Sequence, residues 1–315
     1  MKVLVTGAAG FIGSHLAEKL CELGHEVIGL DNFDDYYSRQ LKELNVEDIK
    51  SKGAKFVELD LATDDLSKVV KGVEIVFHLA AQPGISSKVP LDRYIKNNIL
   101  ATHKLLQALE NSSTLKLFIN TATSSVYGAH ATDSEDAAPK PTSNYGVTKL
   151  AAEQLVLAWQ RDKNFPACSV RPFSIYGPRE RPEKLYPKLI RSILDDDYFL
   201  PLFEGSTAHI RSYTYISDLI DGYIAVLGHT HESIGEIFNL GTDKVITTGE
   251  GIKIVEEIMG KKAKLTQQPK REGDQLETKA NIDKARRILG YNPSITPQVG
   301  LAEEIKWYKE KIWQK

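Results

Sequence analysis

The first thirteen residues constrain this chain most, because a short apolar run, Val3 to Val5, is followed at once by Gly7, Gly10 and Gly13. A continuously apolar, β-branched run predicts a strand that is buried on both faces of a parallel sheet. Glycines after such a strand permit a tight turn, a close approach of the backbone to a ligand, and close packing of the next helix on the strand. We therefore predict a strand–turn–helix unit whose helix begins near Phe11 and whose N-terminus binds a pyrophosphate.

The glycine spacing is G-x-x-G-x-x-G, which differs from the usual G-x-G-x-x-G fingerprint and is weak when taken alone. Two further features strengthen the interpretation: an amphipathic helix follows, and a second predicted strand, Glu26 to Leu30, ends at Asp31. A carboxylate at that position would accept hydrogen bonds from the ribose hydroxyls of NAD and would repel a 2′-phosphate. The pattern therefore predicts NAD as the cofactor, rather than NADP.

Composition excludes several classes of protein. A chain of 315 residues with 42% hydrophobic content can bury a sizeable core. A net charge of −2 with both signs mixed gives no basic field for nucleic acid or an anionic membrane. No apolar stretch approaches the ~18 residues of a membrane span, and no signal-peptide pattern is visible, so we expect a cytoplasmic protein. Cys21 and Cys168 have neither metal-site spacing nor the number for a disulfide framework, which predicts buried structural thiols and no metal.

Strands and helices alternate through the first half of the chain. Further strands are predicted at Lys55 to Leu59, Glu74 to His78, Leu115 to Asn120 and Cys168 to Arg171, with a short helix between the first two and a long helix at about Leu91 to Leu109. This alternation predicts an α/β fold with a Rossmann-type, doubly wound parallel sheet.

Ligands of such sheets bind at the carboxyl ends of the strands. Asp60 ends the third strand, where it could meet the adenine amino group or cap a helix. The small residues Ala80 and Ala81 after the fourth strand would let backbone pass close to a cofactor, whereas we interpret His78 as a packed core histidine.

The fifth strand is followed by a run of hydroxyl groups between Thr121 and Tyr127, which exceeds the need of a simple turn. Ser143 and Asn144 then cap a helix on which Tyr145 and Lys149 are four residues apart and so share a face. An ammonium near a phenol stabilises the phenolate and lowers the tyrosine pKa, which would make the tyrosine a usable acid or base near neutral pH.

The alternation weakens after Arg171, where prolines become frequent. We therefore expect a dinucleotide-binding domain over residues 1–171, with returning segments near 211–240, and a smaller, irregular substrate lobe over 172–315. Predicted elements of this part are a helix at Leu185 to Leu194, a strand at Arg211 to Tyr215, a helix at Asp218 to Leu227 and a strand at Glu236 to Leu240.

Seven motifs occur in the order found in one family. They are TGAAGFIGS (Thr6 to Ser14), HLAA (His78 to Ala81), SSVYG (Ser124 to Gly128), YGVTK (Tyr145 to Lys149), RPFSIYGP (Arg171 to Pro178), RSYTYISD (Arg211 to Asp218) and REGD (Arg271 to Asp274). With these motifs the chain resembles the extended short-chain dehydrogenases/reductases of the nucleotide-sugar epimerase and dehydratase group, over essentially its whole length.

The resemblance implies a role for each matching residue. Tyr145 would be the general base, Lys149 would lower its pKa and bind the nicotinamide ribose, and Thr123 would meet a substrate hydroxyl. The residues expected to bind the cofactor are Gly7, Gly10, Phe11, Ile12, Gly13, Asp31, Asn32, Asp60, Leu61, Leu79, Ala80, Ala81, Gln82, Asn98, Tyr145, Lys149 and Pro172. Those expected to bind the substrate are Ser124, Ser125, Ser174, Arg181, Phe203, Arg211, Arg271 and Asp274.

The implied reaction is a transient oxidation at the sugar C4 followed by reduction from the opposite face. Dehydratases of the family carry Asp-Glu directly after the threonine, where this chain has Ser124 and Ser125. Decarboxylases place a Glu near Thr123 that is absent here. The resemblance therefore favours a UDP-hexose 4-epimerase, and the alternatives are a net sugar dehydrogenase or reductase and a non-catalytic NAD-binding protein.

The substrate is expected to be UDP-glucuronate or UDP-galacturonate, with UDP-glucose or UDP-N-acetylglucosamine as alternatives. Ser174 and Thr278 stand where UDP-glucose 4-epimerases usually have Asn and often Tyr, so the pocket would be wider. Ser174 and Arg181 resemble the residues that meet the C6 carboxylate in UDP-glucuronate 4-epimerases, but Ile85 stands where those enzymes usually have Arg, and Lys88 could replace it.

The resemblance also implies a homodimer formed through the helices at about Leu91 to Leu109 and Tyr145 to Arg161. Apolar residues on these helices could serve either that interface or the core. They are Leu105, Leu109, Leu150, Leu157 and Trp159.

Overall fold

Seven parallel strands form the central sheet in a computed structural model that describes residues 1–84, 89–270 and 275–313. The strands of the described chain are β1 (Lys2–Thr6), β2 (Glu26–Asp31), β3 (Lys55–Glu58), β4 (Ile75–His78), β5 (Leu117–Thr121), β6 (His130–Ala131), β7 (Ala167–Pro172), β8 (Ile175–Tyr176), β9 (Leu200–Phe203), β10 (Ile210–Arg211), β11 (Thr214–Tyr215), β12 (Ile237–Leu240), β13 (Ile246–Thr247), β14 (Leu265–Gln268) and β15 (Glu277–Thr278).

The helices alternate with these strands in the first half of the chain and dominate the last third. They are α1 (Phe11–Glu22), α2 (Arg39–Ser51), α3 (Leu91–Tyr94), α4 (Ala101–Leu109), α5 (Asn144–Lys163), α6 (Leu185–Leu194), α7 (Ile216–Gly228), α8 (Thr230–Ser233), α9 (Thr248–Met259), α10 (Asp283–Leu289) and α11 (Pro297–Lys311).

The strand order of the large sheet is β12-β7-β5-β4-β1-β2-β3. The chain winds in one direction from β1 to β3 and in the other from β4 onward, so the order reverses between β1 and β4. Residue Val3 on β1 pairs with Val27 of β2 on one side and with Ile75 of β4 on the other. The predicted doubly wound parallel sheet is confirmed, and its switch point lies beside the glycine turn.

Successive residues of β1 point to opposite faces of the sheet, as the period of two requires. Val3 and Val5 pack in one core with Leu16 of α1, whereas Leu4 packs in a second core with Leu105 of α4. Both cores exclude solvent, because all three β1 side chains are completely buried. This explains why the run is apolar at every position rather than at every second one.

One of two helix predictions was wrong, and the other was right in its bounds but missed a local feature. Residues 61–74 form turns rather than a short helix. The predicted helix at Leu91 to Leu109 is continuous but contains a π-helical turn, Ile95–Leu100, between α3 and α4. In that turn the Asn98 carbonyl accepts a hydrogen bond from the Thr102 hydroxyl at 2.6 Å, and a side chain bound into the backbone ladder is a recognised cause of such local widening.

The C-terminal part contains a small sheet of order β13-β10-β15-β6 and two strand pairs, β11-β8 and β14-β9. Its own core lies between α6, α9 and α11. The segment predicted as one strand at Arg211 to Tyr215 is two short strands in different sheets, because the Ser212 amide bonds to Thr278 and the Thr214 amide bonds to Ser174. By contrast β12 rejoins the large sheet beside β7.

Two composition-based expectations can be compared with this fold. Cys168 is buried as expected, whereas Cys21 on α1 is partly exposed, and both are free thiols. Within the described ranges, none of the helices combines the length and apolar character that crossing a bilayer would require.

Candidate active site

The glycine turn after β1 is built by close backbone contacts. Gly7 has a φ of +73°, and a Cβ there would lie 2.8 Å from the Ala80 amide nitrogen. A Cβ on Gly13 would lie 2.2 Å from the Gly7 carbonyl oxygen. Gly10 differs, since the Gly7 oxygen at 3.1 Å is its sole neighbour within 4 Å in the described structure. Gly7 and Gly13 therefore serve packing, and Gly10 leaves open space in front of the turn.

That open space faces the N-terminus of α1. The helix begins at Phe11 as predicted, with Gly10 as its N-cap residue, so no side chain of the N-cap covers the first turn, and this turn carries no acidic residue. The first amides of a helix point their N–H groups outward and favour an anion. The turn therefore has the shape and the polarity that a diphosphate requires.

Asp31 lies beside this turn at the end of β2. One carboxylate oxygen accepts from the Phe33 amide at 2.9 Å and the other from the Ala9 amide at 3.2 Å. Burial raises the pKa of Asp31, and the Lys42 charge and these two hydrogen bonds oppose that rise. The carboxylate is thus held in place next to the glycine turn.

Asn32 and Asp60 meet at the same edge of the sheet. The Asn32 side-chain amide lies 3.4 Å from the Asp60 carboxylate, which also pairs with Lys96 at 2.9 Å. Asp60 accepts from the Ala62 amide at 2.8 Å and so closes a turn, with no helix following it. The helix-cap alternative for Asp60 is therefore wrong, while its expected contact with adenine stays a prediction.

The loop after β4 is fixed from two sides. The Leu79 and Ala80 amides both lie 3.2 Å from the Thr6 hydroxyl. The Gln82 amide donates to the Asn98 side-chain carbonyl at 2.7 Å, and the Asn98 amide group donates to the Thr148 hydroxyl of α5 at 3.0 Å. Asn98, in the π-helical turn, therefore connects this loop to the helix that carries Tyr145.

His78 is a core residue, as interpreted from the sequence. Its two ring nitrogens lie 2.9 Å from the hydroxyls of Thr6 and Thr102. Burial lowers its pKa to about 3, so the imidazole is neutral and its nitrogens are occupied.

The hydroxyl run after β5 packs directly against the start of α5. The Ser125 amide donates to the Thr123 hydroxyl at 3.1 Å, and the Thr123 side chain lies close enough to the Tyr145 phenol to lower its pKa. A Cβ on Gly146 would lie 2.8 Å from the Ser125 carbonyl oxygen. The glycine after Tyr145 thus permits the close approach that brings Tyr145 to Thr123.

Tyr145 and Lys149 titrate under opposite influences. Burial raises the pKa of Tyr145, while the Thr123 hydrogen bond and the Arg181 charge act to lower it. Burial lowers the pKa of Lys149 to about 8, and the Glu153 charge acts to raise it. The expectation of a lowered Tyr145 pKa is wrong for the protein by itself, because burial outweighs the favourable contacts, and Arg181 rather than Lys149 is the cation that acts on the phenol.

Arg181 is the main cation of the site. Its guanidinium lies over the Tyr36 ring at 5.5 Å from the ring centre and pairs with Glu183 at 2.6 Å. A Cβ on Gly84 would lie 3.0 Å from the Tyr36 hydroxyl and 3.7 Å from an Arg181 nitrogen. Three loops therefore converge here, and neither Tyr36 nor Glu183 could be recognised from the sequence, because each belongs to a polar loop without a motif.

Arg181 is held by the residues before and after it. Arg179 has a positive φ of 70° and pairs with Glu18 of α1 and Asp48 of α2, each at 2.7 Å. The Lys184 amide donates to the Arg181 carbonyl at 3.0 Å. The backbone around Arg181 is thus attached to α1 and α2 in the N-terminal part of the chain.

Ser174 and Thr278, which the sequence analysis linked through substrate choice, are in direct contact. Their hydroxyl oxygens are 3.2 Å apart, and Ser174 has a φ of +44°. Thr278 is completely buried. Two small hydroxyl side chains therefore occupy a place where larger residues are usual in UDP-glucose 4-epimerases.

The remaining predicted substrate residues are more scattered. Ser124 and Ser125 are buried beside Thr123, and Phe203 ends β9, while Pro172, predicted to bind the cofactor, ends β7. Arg211 donates to the carbonyls of Ile210, at 2.9 Å, and of Gln275. The predicted residues Arg271 and Asp274, with Ile85 and Lys88, lie outside the described residues.

A buried ion pair beneath the site was missed by the sequence analysis. Arg171 and Glu153 are 1% and 0% exposed in their side chains and are joined by two hydrogen bonds, of 2.6 and 3.0 Å. Arg171 also donates to the Tyr127 hydroxyl at 2.7 Å, which donates to Asn239 at 2.9 Å. The sequence feature that could have indicated a buried role for Glu153 is its spacing, because it lies one helical turn after Lys149 on α5.

The sequence model of the NAD dependent epimerase/dehydratase family matches residues 3–241. The chain belongs to this family. An uncharacterized UDP-glucose epimerase of Bacillus subtilis is 38% identical to the chain, covering 100% of it and 99% of the relative. The UDP-glucuronate 4-epimerase of Thermodesulfobacterium geofontis is 33% identical and covers 98% of the chain and 96% of the relative.

Known structures agree with this placement. The crystal structure of UDP-glucuronic acid 4-epimerase from Bacillus cereus, in complex with UDP-glucuronic acid and NAD, is 37% identical and has a TM-score of 0.93. It covers 98% of this chain, and 99% of that structure is covered in turn. The predicted fold class and the resemblance to nucleotide-sugar epimerases are confirmed.

Proposed function

We propose that the protein is an NAD-dependent UDP-hexose 4-epimerase, with UDP-glucuronate and UDP-galacturonate as its favoured pair of substrates. The observation that carries the proposal is the arrangement around Tyr145, whose phenol lies close enough to the Thr123 side chain and the Arg181 charge for both to act on its pKa. The relatives named as epimerases and the neighbour crystallised with UDP-glucuronic acid and NAD support the same reaction.

The residues at the switch point fit NAD. Gly10 leaves space at the uncapped start of α1 for a diphosphate, and Asp31 is fixed beside it for a ribose. Asn32, Asp60 and Leu61 would border the adenine, and Leu79, Ala80, Ala81 and Gln82 would lie along the cofactor on the side of the loop after β4. When bound, the nicotinamide supplies a hydride acceptor and, after oxidation of the sugar, a hydride donor.

Side chains of this protein would accept and return the proton of the sugar C4 hydroxyl. In its phenolate form, which Thr123 and the Arg181 charge favour against burial, Tyr145 would accept the proton of the sugar C4 hydroxyl as C4 becomes a ketone, and would return it when the alcohol re-forms on the opposite face. Thr123 would orient the same hydroxyl. Because the Lys149 pKa is about 8, its ammonium is charged at neutral pH and can bind the nicotinamide ribose.

The neighbouring serines favour epimerisation over elimination. A dehydratase needs an acid and a base beside C5 and C6 of the sugar, whereas Ser124 and Ser125, buried next to Thr123, offer hydroxyls that do not ionise near neutral pH. The ketone is therefore left to be reduced again, with no water lost and no net oxidation.

The C6 substituent is expected to meet Arg181. A planar guanidinium suits a carboxylate, and the small Ser174 and Thr278 leave room for it. UDP-glucose is the second candidate, because Arg181 is already paired with Glu183 and because the Bacillus subtilis relative is named as a UDP-glucose epimerase.

A homodimer and a cytoplasmic location are further parts of the proposal. Leu105, Leu109 and Leu157 belong to the core of a single chain, so they do not support an interface. Leu91, Leu100 and Val147 are about half exposed along the same helices and offer an apolar surface instead. The two free cysteines fit a reducing compartment.

The test is to incubate the purified protein, with and without added NAD, with UDP-glucuronate and separately with UDP-glucose, and to resolve the products by chromatography. We expect a C4 epimer with no accumulation of NADH. Loss of water, or NADH formed in step with product, would replace epimerisation by another reaction of the family.

Tyr145→Phe is expected to reduce turnover by about a hundredfold or more, since the proton acceptor is lost, while NAD stays bound because the ring still packs. Bound NAD is measured after denaturation of the purified variant. Tyr198→Phe, which removes a phenol hydroxyl from a ring that packs against Arg191 of α6, is the matched control. Normal turnover by Tyr145→Phe would remove Tyr145 from the chemistry.

A further inference from the structure

Glu183 holds the position next to Arg181 that a substrate carboxylate would seek. The Arg181 and Glu183 side chains pair at 2.6 Å and are 16% and 34% exposed. The paired atoms, Nη1 of Arg181 and Oε1 of Glu183, are both buried, yet their alignment is not that of a hydrogen bond. The contact is therefore a charge pair that leaves Nη1 of the guanidinium without a hydrogen-bond partner among the described residues.

The Arg181 guanidinium does not depend on Glu183 for its place. It packs over the Tyr36 ring, and its backbone is anchored through Arg179 and Lys184. Replacing Glu183 by a neutral side chain of the same shape is thus expected to change the charge at the site without displacing the arginine.

The two classes of substrate experience this charge differently. A C6 carboxylate that approaches Arg181 would place a second anion near Glu183, and like charges at short range oppose each other more strongly in a partly buried site than in water. A C6 hydroxymethyl group carries no charge and is indifferent to Glu183. The pair therefore weakens recognition of the acidic sugar selectively.

We propose that Glu183 is a specificity-determining residue that, by neutralising Arg181, broadens the site from acidic UDP-hexoses to neutral ones. This inference rests on the proposed 4-epimerase function. It predicts that the native protein accepts both UDP-glucuronate and UDP-glucose, and that its preference between them is set by one carboxylate.

The experiment compares kcat/KM for the two sugars in the native protein and in Glu183→Gln. The ratio of UDP-glucuronate to UDP-glucose is expected to rise about three- to tenfold, through a lower KM for the acidic sugar. Glu22→Gln is the matched control, since it removes the same charge from an exposed pair with Lys52 on the far side of α1. Its ratio should equal that of the native protein.

A second variant separates the charge effect from a change in shape. In an Arg181→Ala background, Glu183→Gln should no longer change the ratio, because the partner through which it acts is gone. Binding of UDP-glucuronate to Tyr145→Phe and to Tyr145→Phe/Glu183→Gln, measured by calorimetry, reports affinity without turnover and also shows whether the variant retains its fold.

The outcomes of these experiments separate the role of Glu183 from the proposed function. If the native protein epimerises either sugar and Glu183→Gln leaves the ratio within twofold, the role of Glu183 is overturned and the proposed function stands. A fall in the ratio would make Glu183 a support for carboxylate binding, which also overturns the inference. If the native protein epimerises neither sugar, the proposed function fails and this inference fails with it.

Discussion

This protein contains two buried pairs of ionisable residues. One pair joins opposite charges, whereas the other brings two acids together. Beneath the active site Glu153 is paired with Arg171, and in the C-terminal lobe Glu180 faces Glu304 of α11. All four side chains are at most 7% exposed. The first pair satisfies its charges internally, whereas the second brings together two groups that cannot both ionise without strong repulsion.

The difference shows what each half requires. Arg171 and Glu153 join β7 to α5 with a network that extends to Tyr127 and Asn239, and so fix the helix that carries Tyr145. Burial instead raises the pKa of both Glu180 and Glu304, and the Glu180 charge raises that of Glu304 further. The active site is therefore supported by an ion pair. The C-terminal part instead contains a pair of acids of which at least one must be protonated.

Breaking the first pair should have the largest effect. Glu153→Gln leaves the Arg171 charge buried without a partner, so we expect a loss of about 3–5 kcal/mol in the free energy of unfolding, measured by urea titration. The double variant Glu153→Gln/Arg171→Met should recover part of this loss, because no charge is then stranded. A loss below about 1 kcal/mol would show that the pair does not hold the structure.

Removing one acid of the second pair should stabilise the protein, and the size of this effect should depend on pH. For a buried acid with a raised pKa, the folded state binds more protons than the unfolded state, so stability falls as pH rises from about 4.3 through the folded pKa. The Glu180 pKa of about 7 places much of that loss below pH 8. Glu304→Gln is expected to stabilise the protein by about 1–2 kcal/mol at pH 8 and to change little at pH 4.5.

The control for this variant is Glu303→Gln, its exposed neighbour on α11. Urea titrations of both variants and the native protein at the two pH values would measure the difference. Equal effects of Glu304→Gln at pH 4.5 and pH 8 would contradict the assignment of a raised pKa to this pair.

The smallest effect is expected at an exposed pair. Glu22 and Lys52 pair at 3.0 Å with about half of each side chain exposed. Glu22→Gln should leave the midpoints of urea and thermal unfolding nearly unchanged, and added salt should reduce even that small effect. A larger effect in thermal and urea unfolding would mean that burial alone does not separate the three pairs.

The features of this structure that could be predicted from sequence are those formed by residues close together in the chain. The run Val3 to Val5, the glycines after it and the acid at Asp31 follow one another within a single strand–helix–strand unit, so their pattern specifies the first site elements. Tyr145 and Lys149 are likewise one helical turn apart. Local spacing was sufficient because local geometry determines these contacts.

The parts that could not be predicted depend on contacts between distant segments. Glu180 and Glu304 are separated by most of the C-terminal lobe, and nothing in either local pattern reveals that they meet. The strand expected at Arg211 to Tyr215 was wrong because its two ends pair with different partners. The roles assigned to Arg211, Arg271 and Asp274 in binding a nucleotide stay predictions.

Three successive residues, Arg179, Glu180 and Arg181, are attached to three different parts of the molecule. The first is bound to α1 and α2, the second faces α11, and the third reaches the proposed sugar pocket. Adding or deleting one residue here would shift each side chain to the position of its neighbour. An arginine would then face the buried acid of α11, and a glutamate would face the substrate. This segment can therefore diverge by substitution but not in length, and new substrate preferences among related chains are expected to arise at fixed spacing.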